Sequence, residues 1–196
     1  SGTAQSVSKA VIASADIAGL DFGFNFDTIV NAGNGGQGSL RQFITNSNTL
    51  TNAGLAQSGQ TAGVEASIFM IPSGSVVPGL RAGLTNQLNA SGVASIVVTS
   101  QLPAITDTNT WIDGTLQTTN VGDTNSGTLG VGGTVGVDAL SLPTLSRPEV
   151  QISAARGTIG MGIQIKANNT RVRGLAIFGF GTTANAAGSA NVIRIA

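Results

Sequence analysis

Cysteine, histidine and tyrosine are all missing from this chain. Without cysteine there are no disulfides, no thiolate metal sites and no thiol nucleophiles. Without histidine the usual general base is gone, and with it the Ser-His-Asp triad and most zinc centres. Charge is scarce too. Asp, Glu, Lys and Arg together make up 9% of the residues, against roughly 25% in an ordinary soluble domain. Nine basic and nine acidic side chains give a formal net charge of zero. Nucleic acid and anionic membrane surfaces both call for a basic patch, so neither is expected as a partner. Arg171, Arg173 and Arg194 crowd the C-terminal part but read as solvated or ladder side chains. No apolar run approaches the roughly 18 residues of a membrane span, so membrane insertion is not expected. No basic segment followed by an apolar one opens the chain. An uncleaved signal peptide is therefore not expected, and the numbering of an exported protein would start after processing or at a fragment boundary.

The 196 residues are enough for one sizeable core or one and a half small ones, and 41% of them are hydrophobic. Abundant Gly, Ser, Thr, Asn and Ala with so few charges point to an extracellular or cell-surface protein. The chain divides into an N-terminal extension, residues 1–25, and a main domain, residues 26–196, with a long excursion near 115–146. In "DFGFNFDTIVN", Phe22, Phe24 and Phe26 alternate with smaller residues, which predicts a strand burying one face. A glycine-rich run follows, and Ser39-Leu40-Arg41-Gln42 has the spacing of a capping box. Leu40, Phe43 and Ile44 share one helical face, so a short helix is expected at about 39–48. Gly33, Gly35 and Gly38 have the spacing of a dinucleotide fingerprint. No lysine stands before Ser39 for a phosphate, and no acidic residue follows at ribose distance. The glycine run is read as a turn that starts a helix.

Short apolar runs then recur at 66–72 and 94–99, and "TNTWIDG" at 108–114 looks like a strand closed by an Asp-Gly turn. Residues 115–146 are rich in Gly, Thr and Ser with weak periodicity. Beyond them, strands are predicted at 149–153, 162–167, 170–180 and 191–195, each placing apolar residues two apart. No helix-length amphipathic segment appears after residue 50, and a parallel βαβ fold would need crossover helices. Short strands with tight polar corners predict an all-β chain, a right-handed parallel β-helix with an N-terminal strand and short capping helix. An antiparallel sandwich is the alternative, though it should show more hairpin signals.

Two segments carry a resemblance. "FDTIVNAGNGGQGSLRQFI" is similar to the opening segment of bacterial surface β-helix proteins, where a strand, a Gly-rich turn and a G-S-L-R-x-A-I helix begin a right-handed parallel β-helix. This chain departs from that pattern at Phe43, at Ala32 and at Asn34-Gly35. "GIQIKANNTRVRGLAIFGFG" resembles a β-helix coil, and "GLDFGFN" resembles the last strand of the Ig-like modules that precede such domains. The resemblance implies a structural role in a surface scaffold, adhesin or fibre. It names no ligand; cell-surface glycans are the partner class it suggests.

Parallel β-helices also host pectin lyases and glycosidases, and the latter need paired carboxylates. Asp107 and Asp113 are the nearest acidic pair, but both sit in turn-like contexts. A carbohydrate-active enzyme or a sugar-binding module is therefore the rival, and catalysis is not expected. Asp123 and Asp138 invite an oxygen-only calcium site, yet their spacing fits no EF-hand or nonapeptide repeat. No cofactor is expected. Trp111 reads as a core residue rather than a sugar platform, and Asn168 and Asn169 as corner residues whose amides can ladder between coils. Lys166, Arg171 and Arg173 are expected on an outer sheet face. The strand "NVIRIA" carries Val192, Ile193 and Ile195 and one charge, Arg194, so its edge invites pairing. Two outcomes are open: a fragment whose parent continues the solenoid, or an end completed by another subunit, with the segment around Ala10, Val11, Ile12 and Ala13 as the natural donor.

Overall fold

A computed structural model describes residues 26–57, 59–130, 132–181 and 191–196. The Ala10–Ala13 stretch, Phe22 and Phe24 lie outside the described residues. The chain is all-β, with short strands and only two short helices among the described residues.

The turn before β1 (Thr28–Ile29) leaves Phe26 half exposed rather than on a strongly buried strand face. The glycine run then reverses the chain. Gly38 has φ 69°, and a Cβ on it would meet the Val30 side chain at 2.7 Å, so the tight approach requires glycine there. Helix α1 (Leu40–Ser47) starts where expected. Ser39 Oγ accepts the Gln42 N–H at 3.2 Å and donates to Gly36 O at 2.7 Å. Only half of the capping box forms: the Gln42 amide turns down the helix to Asn46 Oδ1 at 2.7 Å instead of returning to Ser39 N. Leu40, Phe43 and Ile44 are buried, each contributing roughly 1.5–3 kcal/mol by transfer from water. Ser39→Ala should lower stability by about 1 kcal/mol. Thermal melts of the two proteins check this, and an unchanged midpoint would contradict it.

The run 66–72 is split. Ser67 separates β2 (Glu65–Ala66) from β3 (Ile68–Phe69). Further strands are β4 (Ala94–Val97) and β5 (Thr110–Asp113). Helix α2 (Thr115–Val121) follows at the start of the expected excursion, overturning the expectation of no helix beyond residue 50. Its sequence, TLQTTNV, is poor in strong helix formers and Gly114 supplies no capping side chain. The helix is held by tertiary bonds. Asp113 Oδ1 accepts from Thr115 N at 3.1 Å and Oγ1 at 2.6 Å. The Asp-Gly pair thus opens a helix and does not close a hairpin.

The remaining excursion is an antiparallel ribbon. Here β6 (Thr128–Leu129) pairs with β9 (Leu145–Ser146), and β7 (Thr134–Val135) with β8 (Leu140–Ser141). Then come β10 (Val150–Ser153), β11 (Met161–Ile165), β12 (Arg171–Arg173), β13 (Leu175–Phe178) and β14 (Asn191–Ile195).

Outside the ribbon, every pair of named strands among the described residues is parallel, and the isolated Leu88–Ala94 bridge is antiparallel. Strands β4, β10 and β13 stack Ala94, Val150 and Leu175 in one column and Ile96, Ile152 and Ile177 in the next. Strands β2, β5 and β12 align Ala66, Trp111 and Arg171. β1 pairs with β3, and β11 with β14. Inward-facing residues of neighbouring strands stack on one another, so columns of like side chains form the core. Ile29, Phe69, Ile96, Ile112, Ile152 and Ile163 are among its buried members.

The outer edges of β1, β2 and β3 are covered by amides. β3 has a strand on one side only. On the other, α2 presents Gln117, whose Oε1 accepts the Ile71 N–H and whose Nε2 donates to Ile71 O, both at 2.8 Å. Asn120 Nδ2 adds a bond to Phe69 O at 3.0 Å. Gln87 does the same for β1, accepting from Ala32 N at 3.0 Å and donating to Val30 O at 3.1 Å. Gln57 brackets Ala66 of β2 in the same way. Each glutamine reproduces the donor and acceptor of an absent neighbouring strand.

Candidate functional site

Three polar clusters and one apolar edge carry the chemistry of the described residues. The first cluster was missed by sequence reasoning, which paired the wrong carboxylates. Asp27 precedes β1 and Glu65 opens β2, and the fold brings them together although they lie far apart in sequence. Both are buried, with Glu65 only 3% exposed. Gln57 Nε2 donates to Asp27 Oδ2, and Ser47 and Thr110 share a buried hydroxyl bond at 2.6 Å beside them. Glu65 Oε2 is buried with no hydrogen-bond partner. Burial, then hydrogen bonding to and repulsion from Asp27, then the charge of Asp107, push Glu65 up from its ordinary 4.5 to about 8. Asp27 is also raised, first by burial. A proton on Glu65 turns the meeting of two acceptors into a carboxyl–carboxylate hydrogen bond. The pair is an internal strut between β1 and β2, shut away from any groove.

Asp107 and Asp113 do not meet. Asp107 Oδ2 accepts from Asn52 Nδ2 at 2.9 Å. Asp113 is paired with Arg173, whose Nη2 lies 2.6 Å and Nε 2.8 Å from Oδ2. Asp113 is held below the usual carboxylate range: burial opposes this, but the bonds from Arg173 and Thr115 outweigh it.

The second cluster follows on the outer face of β5 and β12. Trp111 is not a core residue. It is half buried, Arg171 lies 4.2 Å from its ring centre, and its Nε1 donates to Asn169 O at 3.2 Å. One corner below, Asn109 and Asn169 both adopt positive φ, and Asn169 Nδ2 donates to Asn109 Oδ1 at 3.1 Å. Of the two corner amides expected to ladder, Asn169 does so, with Asn109 as its partner, while the backbone O of Asn168 accepts from Asn109 N at 3.2 Å.

The third cluster roots the ribbon. Glu149 is buried; it accepts from Thr124 Oγ1 and from Asn125 Nδ2, each at 2.6 Å. Thr124 Oγ1 also reaches Gly92 O at 2.7 Å. Among the described residues no group of three or more acidic side chains is placed to hold a metal. Arg41, which the sequence reading passed over, clasps the glycine turn. It donates to Asn34 O and Oδ1, Ser100 O and Gln101 O at 2.7–3.0 Å. The dinucleotide-like spacing thus serves a turn locked by its own chain.

The apolar edge is β14. Ile163 on β11 is buried, whereas its register partner Ile193 is 42% exposed, and Ile195 beside Ile165 is 82% exposed. The gradient recurs in the other stack: Ile96 and Ile152 are buried and Ile177 is half-buried. Val192 is exposed too. The stacks thus present half-covered apolar rows on their last described strands.

No protein family, curated protein or solved structure gives a significant match to this chain. No helix among the described residues is long and apolar enough to cross a membrane.

Proposed function

We propose that the chain is a right-handed parallel β-helix acting as a structural module of an extracellular scaffold, adhesin or fibre. The observation that carries this reading is the run of in-register parallel stacks, closed by amides on one side and open and apolar at β14. Parallel strands joined in sequence favour the right-handed path. The Asn109–Asn169 bond and the Ser95–Gln151 bond at 2.8 Å link neighbouring parallel strands and support this reading as side-chain rungs. The likeness of Phe26–Ile44 to bacterial surface β-helix proteins agrees with the helix seen at Leu40–Ser47.

The rival is a polysaccharide lyase or glycosidase. That chemistry needs carboxylates about 5–9 Å apart across a substrate. Here the close carboxylates, Asp27 and Glu65, are buried, and the exposed face carries Arg–Trp and Asn pairs. The structural reading is therefore favoured.

An open apolar strand edge accepts further strands, so head-to-tail association through β14 is part of the proposal. Sedimentation should show the wild type growing in mass with concentration. Ile193→Lys with Ile195→Lys should stop that growth at two copies while changing the melting midpoint little. Growth beyond twice the monomer mass in this double variant would contradict β14 as the docking edge.

A further inference from the structure

We infer that the antiparallel ribbon, residues 128–146, is a dimerisation arm that pairs with the same arm of a second copy. The inference is independent of the β-helix reading and of β14. Two observations carry it. First, the ribbon displays apolar side chains to water on both strands. Leu129 faces Leu145 and Val135 faces Leu140 across the ribbon, and these four together with Val137 and Leu142 are all exposed, Val137 completely. Six large side chains at that exposure present on the order of 600 Å² of apolar surface, at the top of what a monomer normally tolerates. A standard interface takes about 800 Å² from each partner, so one arm supplies most of one side. An isolated two-stranded ribbon is also marginal in water and gains by being covered.

Second, charge says what covers it. Residues 128–146 contain a single charged side chain, Asp138, in the turn at the tip. Such a surface has no electrostatic address for a charged partner and meets its own kind without repulsion. The whole chain carries a formal net charge of zero, so two copies approach freely. A two-fold axis between the arms places Leu140 and Leu145 of each against the other and closes at two subunits.

The arm has a firm base. Glu149 ties Thr124 and Asn125 into the body, and a Cβ on Gly92 would fall 2.0 Å from Thr124 O, so the two segments are in close backbone contact. The apolar surface is therefore presented in a fixed place.

The test is sedimentation equilibrium on the full chain. The Ile193→Lys/Ile195→Lys protein should still form dimers, with mass capped at twice the monomer. Adding Leu140→Lys and Leu145→Lys should weaken dimerisation by more than about tenfold. Because the chain has no cysteine, Val137→Cys gives a second readout that needs no core change. It should form a disulfide-linked dimer under mild oxidation, while Ser91→Cys, exposed on the body, should not. A monomeric β14 variant at about 1 mM, or a dimer indifferent to the ribbon lysines, would overturn the inference. So would equal cross-linking at both cysteines.

Discussion

Gln117→Leu should lower stability sharply. The side chain keeps its size, so no cavity opens, but the N–H and C=O of Ile71 lose their partners where no water reaches them. Each orphaned buried group costs about 1–3 kcal/mol, so a loss of about 2–5 kcal/mol is expected. In a chain of this length that lowers the melting midpoint by roughly 5–15 °C. Thr118→Ala, exposed one residue along the same helix, should stay within about 0.5 kcal/mol. Chemical denaturation of the three proteins decides it. Equal stability of Gln117→Leu and wild type would mean that α2 does not close the edge of β3.

The second large effect is an inverted pH profile. Glu65 folds with its carboxyl raised from 4.5 to about 8. Between those values the folded state holds a proton that the unfolded state has released, so stability must fall as pH rises. The contribution is complete below about pH 4.5 and gone above about pH 8. It is on the order of 2–4 kcal/mol. Asp27 and Glu149, both raised by burial, act in the same direction. Asp113 acts oppositely. Its carboxyl is lowered by Arg173 and Thr115, so its contribution is lost as pH falls below its ordinary 3.8. Stability should therefore peak near pH 4–5. Glu65→Gln keeps the shape, removes the titration and should flatten the fall between pH 5 and 8. A wild-type midpoint that rises over that range would show that Glu65 is not held protonated.

The strands of the C-terminal half were legible because each repeats two apolar residues on one face: Val150 and Ile152, Ile163 and Ile165, Leu175 and Ile177. Helix α1 was legible because its signals are local, an N-cap serine and an i, i+3, i+4 apolar face. Helix α2 was not, since its stability comes from Gln117 and Asn120 reaching β3 and from Asp113 at its start. Nothing in TLQTTNV announces those partners. Trp111 was misplaced for a related reason. Strand alternation gives two faces but not which is inward, and its neighbour Ile112 took the core. The Asp27–Glu65 pair escaped because sequence proximity pointed to Asp107 and Asp113, whereas parallel stacking joins residues many positions apart. Gln57, Gln87 and Gln117 look like ordinary polar residues until the edges they cover are seen.

Interstrand contacts across the central stack test the proposed β-helix most directly. In solution NMR spectra, Gln151 should show contacts to both Ser95 and Ala176, and Ile152 to both Ile96 and Ile177, in parallel register. Adjacent strands should lie about 4.8 Å apart. An antiparallel pattern, or a one-residue slip that carries Ile152 to the outer face, would contradict a solenoid of stacked coils.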